Sequence, residues 1–325
     1  MSLHYSVILG FMGQLRDRFA VYHQPRTLEE RLALVAQING VSGVEMVYPA
    51  ELSDVAQVRD LLRKYGLRLS AVNVNLKGDP RWHHGALTAR DRATRQEAVQ
   101  WIQRGMDIAA ELDSNLVTVS FLADGHDYPF EVDYGRAWRD FVEGVRAAAD
   151  YRPDVRLSLE YKKSEPRARV ILSNVGKGLY TCAVVDRANV GITLDAGHAL
   201  YAGESFAESV ALLADAGRLF LAHGNDNYRD WDWDLIPGSV NLWDLVESTY
   251  YLHRVGYDGW VAFDVFPARR DAVATMQASR EMYRHAEAII DRIGLGELTR
   301  MIESADGADN PPVFQTILSK MVQGE

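Results

Sequence analysis

A closed parallel barrel of eight β/α units is the fold the sequence predicts. Short apolar or β-branched runs recur eight times, and a longer stretch with helical spacing follows each of them. The second observation is what the start of the chain lacks. A doubly wound sheet binding a dinucleotide needs a glycine fingerprint there, and GFMG at 10–13 does not have the spacing. An open sheet is the alternative architecture.

Strands are read at 4–10, 42–47, 67–75, 115–121, 155–161, 189–195, 218–223 and 260–264. Helical patterns lie between them at 28–39, 53–65, 94–112, 136–150, 205–216 and 242–254. In 53–65, Val55, Val58, Leu61 and Leu62 fall on one face, and Arg59, Asp60, Arg63 and Lys64 largely on the other. Gly66 follows where a helix C-terminal glycine belongs. The units fill residues 1–296 as one (β/α)8 barrel domain. Residues 297–325, with Gly, Asp, Asn and a Pro pair, read as a short C-terminal extension.

The 325 residues are 47% hydrophobic and 25% charged, a composition that supports a packed core rather than disordered arms. A net charge of −10 argues against nucleic acid as a partner. The single Cys182 excludes an internal disulfide framework or a cysteine zinc cluster and fits a reducing compartment. The start MSLHYSVILGF does not read as a secretory signal, and no run approaches 18 apolar residues. The expectation is a soluble, cytoplasmic protein with no membrane partner.

Glu160, Asp195, His223 and Asp264 each close a hydrophobic run, where a charge is costly unless paired or bound to a cation. On a barrel these strand ends share one face, so the four side chains can converge. Three carboxylates and an imidazole suit Mn²⁺, Co²⁺ or Mg²⁺; ion pairs with nearby Arg and Lys are the plainer explanation. His198 stands three residues after Asp195, and DWDWDL supplies Asp232 and Asp234. With Asp195 bridging, these make a second cation site.

Several segments, in order, resemble the xylose isomerase-like (β/α)8 barrels, and specifically the metal-dependent aldose–ketose isomerases. They are LEYKKSEPR at 159–167, LDAGHALYAGESFAESVALL at 194–213, RLFLAHGNDN with DWDWDLIPGSVNL, and GYDGWVAFDVFPAR at 256–269. YGLRLSAVNVNL at 65–76 and LRDRFAVY at 15–22 are weaker echoes. The resemblance implies two divalent cations per subunit and a hydride shift between C1 and C2 of a small sugar. Lys162, Asp232, Glu160 and Asp264 would serve the chemistry. Asn75, Phe121, His198 and Phe19 would contact substrate, with Phe19 crossing a subunit boundary in a homodimer or homotetramer.

Two departures stand out. Val47 and Ala50 occupy the places of a ring-opening His/Asp pair, and His223 replaces the usual aspartate, as in some rhamnose isomerases and in ketose 3-epimerases. The alternative activity is therefore a ketose 3-epimerase, with Glu160 and Asp264 as an acid/base pair on one metal. An endonuclease-like barrel would want a basic path and further early histidines, and a non-catalytic sugar binder would leave the paired carboxylates unexplained. His83, His84 and His126 are loop candidates for sugar contacts or for plain solvation.

Overall fold

The computed structural model describes residues 3–304 and 312–322. Eight parallel strands close into a barrel: β1 (His4–Ile8), β2 (Gly43–Tyr48), β3 (Arg68–Val74), β4 (Leu116–Ser120), β5 (Arg156–Glu160), β6 (Val190–Asp195), β7 (Leu219–Gly224) and β8 (Trp260–Phe263). Around them run α1 (Leu28–Val35), α2 (Val55–Tyr65), α3 (Arg92–Glu111), α4 (Tyr134–Tyr151), α5 (Val175–Val185), the short α6 (Ala196–Ala202), α7 (Phe206–Asp215), α8 (Leu242–Arg254) and α9 (Ala272–Ile293).

Side-chain caps start these helices: Thr27, Asp54, Asp91, Asp133, Asn174, Ser205 and Asp271 each accept a backbone N–H one turn in. Gly66 ends α2 in the left-handed conformation at φ 65°. The helix expected over 28–39 stops at Val35, and the chain turns through 36–42 into β2.

The barrel interior is layered. At the N-terminal end Ala71, Leu116, Phe220 and Leu221 pack with Trp260 as an apolar floor. The two rings leave no room for a neighbouring side chain: a Cβ at Gly43 would lie 2.7 Å from Trp260, and one at Gly191 2.5 Å from Phe220. Above it the hydroxyls of Thr118, Thr193 and Ser158 link three strands, with 2.7 Å between successive oxygens. Carboxylates and imidazoles fill the C-terminal end.

The boundary expected at 296–297 falls inside α10 (Leu295–Glu303), which follows α9 almost directly. Leu298 joins Tyr250, Ile290 and Ile293 in a small cluster, against which Val313 and Ile317 of α11 (Val313–Val322) pack. The rest of the expected extension, 305–311 and 323–325, lies outside the described residues. Among the described residues no helix is long and apolar enough to cross a membrane.

Candidate metal centre

Parallel register brings the strand-end residues side by side. Asp195 pairs with His223 across β6 and β7, and Ser120 with Glu160 across β4 and β5. Asp264 is the first residue past β8. Ligand atoms of Glu160, Asp195, His223 and Asp264 all lie within 4.8 Å of one another. His223 Nδ1 stands 3.4 Å from Glu160, 3.6 Å from Asp195 and 3.5 Å from Asp264.

Asp195, His198 and Asp232 form a second such group. The local reason is a cap: Asp195 ends β6 and accepts the His198 N–H at 2.8 Å at the start of α6, which lifts the imidazole one turn above it. His198 Nε2 meets Asp232 Oδ2 at 3.1 Å. Asp232 arrives on a loop pinned at its base by Asp226, which accepts from the Val240 and Asn241 backbone and the Asn241 amide. Asp234 stands outside that group, half-buried, with Oδ1 3.4 Å from Asn225 Nδ2. Lys162 is buried and bridges Asp232 at 2.7 Å and Glu165 at 2.6 Å.

These groups fit a divalent cation. Nδ1 of both histidines and Oδ1 of Asp232 are buried without a hydrogen-bond partner. Burial, then the charge of Asp195, pushes Asp264 up to about 6 although His223 opposes it. Burial and the charges of Asp232 and Asp264 hold Asp234 well above the usual carboxylate range. Burial would lower His198, but Asp195 and Asp232 outweigh it and hold it at about 9. Burial would likewise lower His223, and Glu45 and the other carboxylates hold it well above the usual range. The protons retained here stand where positive charge is wanted, and a cation displaces such protons when it binds.

The supporting shell was not singled out from the sequence. Glu45, buried in the middle of β2, accepts His223 Nε2 at 3.0 Å and the Asn73 amide at 2.7 Å, so Nδ1 is left facing the carboxylates. Asn225 donates to both oxygens of Asp195, at 3.2 and 3.0 Å, and accepts the Gly197 N–H at 2.6 Å. Ser120 donates to Glu160, and Lys77 Nζ lies 3.4 Å from the Ser120 hydroxyl. A glutamate inside GVEMV was the available signal, because a charge flanked by apolar residues in a strand demands a partner.

Some expected contacts fall elsewhere. Phe121 is fully buried and packs edge-on against Phe141 of α4 at 4.9 Å, outside the barrel and not in a sugar-facing wall. Asn75 lies just past β3, and its Oδ1 accepts the Lys77 and Gly78 N–H groups, so its carbonyl shapes the loop. Phe19 is 89% exposed at the tip of a two-strand hairpin, away from its own barrel core. His83 and His84 are exposed, beside a buried Trp82.

Residues 32–285 match the family described as xylose isomerase-like TIM barrel. The xylose isomerase of Thermus thermophilus is 30% identical over 223 residues, which are 67% of this chain and 58% of that one. The match thus spans under two thirds of the relative's length. Among solved structures, a D-tagatose 3-epimerase-like protein superposes with a TM-score of 0.71 at 21% identity, covering 89% of this chain and 98% of the other. The D-psicose 3-epimerase of Clostridium cellulolyticum H10 gives 0.69 at 17%, covering 87% and 99%. At those identities the structures speak for the fold alone. The family match covers most of the barrel, including every residue of both ligand clusters, and with it the chain belongs to the xylose isomerase-like TIM barrel family.

Proposed function

We propose that this protein is a divalent-cation-dependent isomerase that interconverts an aldose and its ketose. The observation that carries this reading is the pair of ligand clusters sharing Asp195, with the Lys162 ammonium bonded to a member of the second. Glu160, Asp195, His223 and Asp264 would hold the first cation; Asp195, His198 and Asp232 would hold the second, with Asp234 beside them. Two such ions supply Lewis acidity toward the two oxygens of an open-chain sugar when bound.

The reaction moves a hydrogen between C1 and C2 and a proton between O1 and O2. Lys162, fixed by Asp232 and Glu165, donates to the carbonyl oxygen as its negative charge develops. Asp232 Oδ1, unpaired and buried, is the acceptor assigned to the hydroxyl proton. His198 lines the substrate side, and the exposed Phe19 closes the site of a second copy of the chain, keeping water from the reacting carbons. The related T. thermophilus xylose isomerase supports a sugar as substrate.

One observation favours a second reading, a ketose 3-epimerase. Glu160 and Asp264 come from non-adjacent strands to the same imidazole, at 3.4 and 3.5 Å, as an acid and a base serving two faces of one carbon would. An aldose deuterated at C2, incubated with Mn²⁺, separates the readings. The isomerase yields a ketose that keeps the label at C1. A C3 epimer formed from a ketose with solvent exchange at C3 replaces the first reading by the second.

A further inference from the structure

A pocket elsewhere on the barrel contains no residue of the two metal-ligand clusters. Its volume is about 340 Å³, between α4, α5 and the hairpin that pairs Gly125–His126 with Arg169–Val170. Lys163, Arg169 and Lys177 line it together with Trp138 and Ser173, and no lining residue is Asp or Glu. In a chain of net charge −10, a cavity with three cations and no carboxylate is an unbalanced environment.

The neighbours sharpen the contrast. Arg167, on the same loop, is paired with both Asp127 and Glu131. Arg169 makes no ion pair among the described residues, and Lys177 Nζ donates only to Ser173 Oγ, at 2.8 Å. Lys163 turns its ammonium to the Tyr201 carbonyl at 3.2 Å. Trp138 stands 6.0 Å from Lys177 Nζ and supplies an apolar wall. The hairpin is held tightly, because a Cβ on Gly125 would lie 2.0 Å from the Arg169 carbonyl oxygen, so only glycine lets the strands close.

We propose that this pocket binds a small oxyanion-bearing molecule, whose phosphate or sulfate group is received by Arg169 and Lys177 and whose body lies against Trp138. A guanidinium supplies a planar donor fork and the ammonium a point charge, the pairing that suits a tetrahedral oxyanion. Burial and the positive charge of Arg169 together hold Lys177 below the ordinary lysine range, a penalty that a bound anion removes. The inference does not rest on the sugar chemistry of the metal centre.

The test uses the full chain stripped of metal, so that phosphate on a metal ion contributes nothing. Thermal melts and calorimetric titrations are run with inorganic phosphate, with a ketose phosphate and with the same ketose unphosphorylated, against chloride at equal ionic strength. Saturable stabilisation by the two phosphates, and none by chloride or the bare ketose, is expected. Arg169→Gln and Lys177→Gln should each weaken binding roughly tenfold or more, the scale of one charge-assisted hydrogen bond, while Asp195→Asn keeps it. Both substituted side chains reach solvent, and circular dichroism checks that the variants fold. Tighter binding of the ketose phosphate than of phosphate assigns an organic ligand; equal binding assigns the free anion. Absence of saturable binding in the unaltered chain, or affinity unchanged in both variants, overturns the proposal.

Discussion

At the floor of the barrel two aromatic rings lie over two glycines within an apolar cluster, with the Arg68 and Arg156 guanidiniums over the rings; at the mouth, seven carboxylates, Glu45 and Glu165 included, crowd two imidazoles and one ammonium. The same eight strands build both ends. Burial at the floor removes apolar surface from water and stabilises the fold. Burial at the mouth strips solvent from charges, which costs stability unless they are paired or meet a cation. Stability and function are thus separated along the strand axis, with the hydroxyl layer of Thr118, Ser158 and Thr193 between them.

Asp195→Asn tests this separation most strongly. Asparagine keeps the cap on α6, but it removes the ligand shared by both clusters. Even outer-shell partners of a metal cost 10–100-fold in affinity, so activity at limiting metal should fall by roughly 10⁴. In EDTA the same variant should melt a few degrees higher than the unaltered chain, because one of several crowded like charges is gone. A lower melting temperature in EDTA would show that the mouth is held together by its ion pairs and would break the comparison.

Phe220→Ala makes the opposite test. Removing that ring should cost about 3–5 kcal/mol of stability, read from the denaturation midpoint, while metal stoichiometry and kcat of the folded fraction stay put. A loss of metal binding in step with stability would mean that the two ends are not independent.

Lys162→Met comes next. Losing one oxyanion donor should lower kcat by roughly 10²–10³, with both cations still bound in a metal titration. A raised KM with kcat intact would assign Lys162 to binding alone.

The convergence of these side chains was legible because each signal was local. A carboxylate or imidazole closing an apolar run marks a strand end, and Asp195 and His198 declare themselves through the spacing of a helix cap. Phe121 was misplaced by one residue of parity: Ser120 reaches inward to Glu160, so the next side chain must point outward, to Phe141. Asn225 follows the same rule in the other direction, sharing its face with His223. Glu45 escaped because the end of the second strand, Val47 and Ala50, drew the comparison, whereas the charge sits in its middle. The floor was not legible, since Trp260 meets Gly43, and Phe220 meets Gly191, on different strands.

Glu45 is where the two ends meet, and it gives the smallest and sharpest prediction. It lies two residues up β2 from floor Gly43, and its carboxylate accepts from His223 on one oxygen and from Asn73 on the other. A glutamine there can accept through one oxygen only and must turn its NH₂ toward one of two existing donors. In Glu45→Gln the imidazole loses its fixed orientation, so affinity at the His223 cluster should fall 10–100-fold. The cluster of Asp195, His198 and Asp232 does not touch Glu45 and should keep its affinity for Mn²⁺. The denaturation midpoint in EDTA should stay within about 1 kcal/mol, because the floor is untouched. A two-site Mn²⁺ titration decides it: equal weakening at both sites would make Glu45 a general support of the barrel, and no weakening would show that His223 needs no second partner to hold its place.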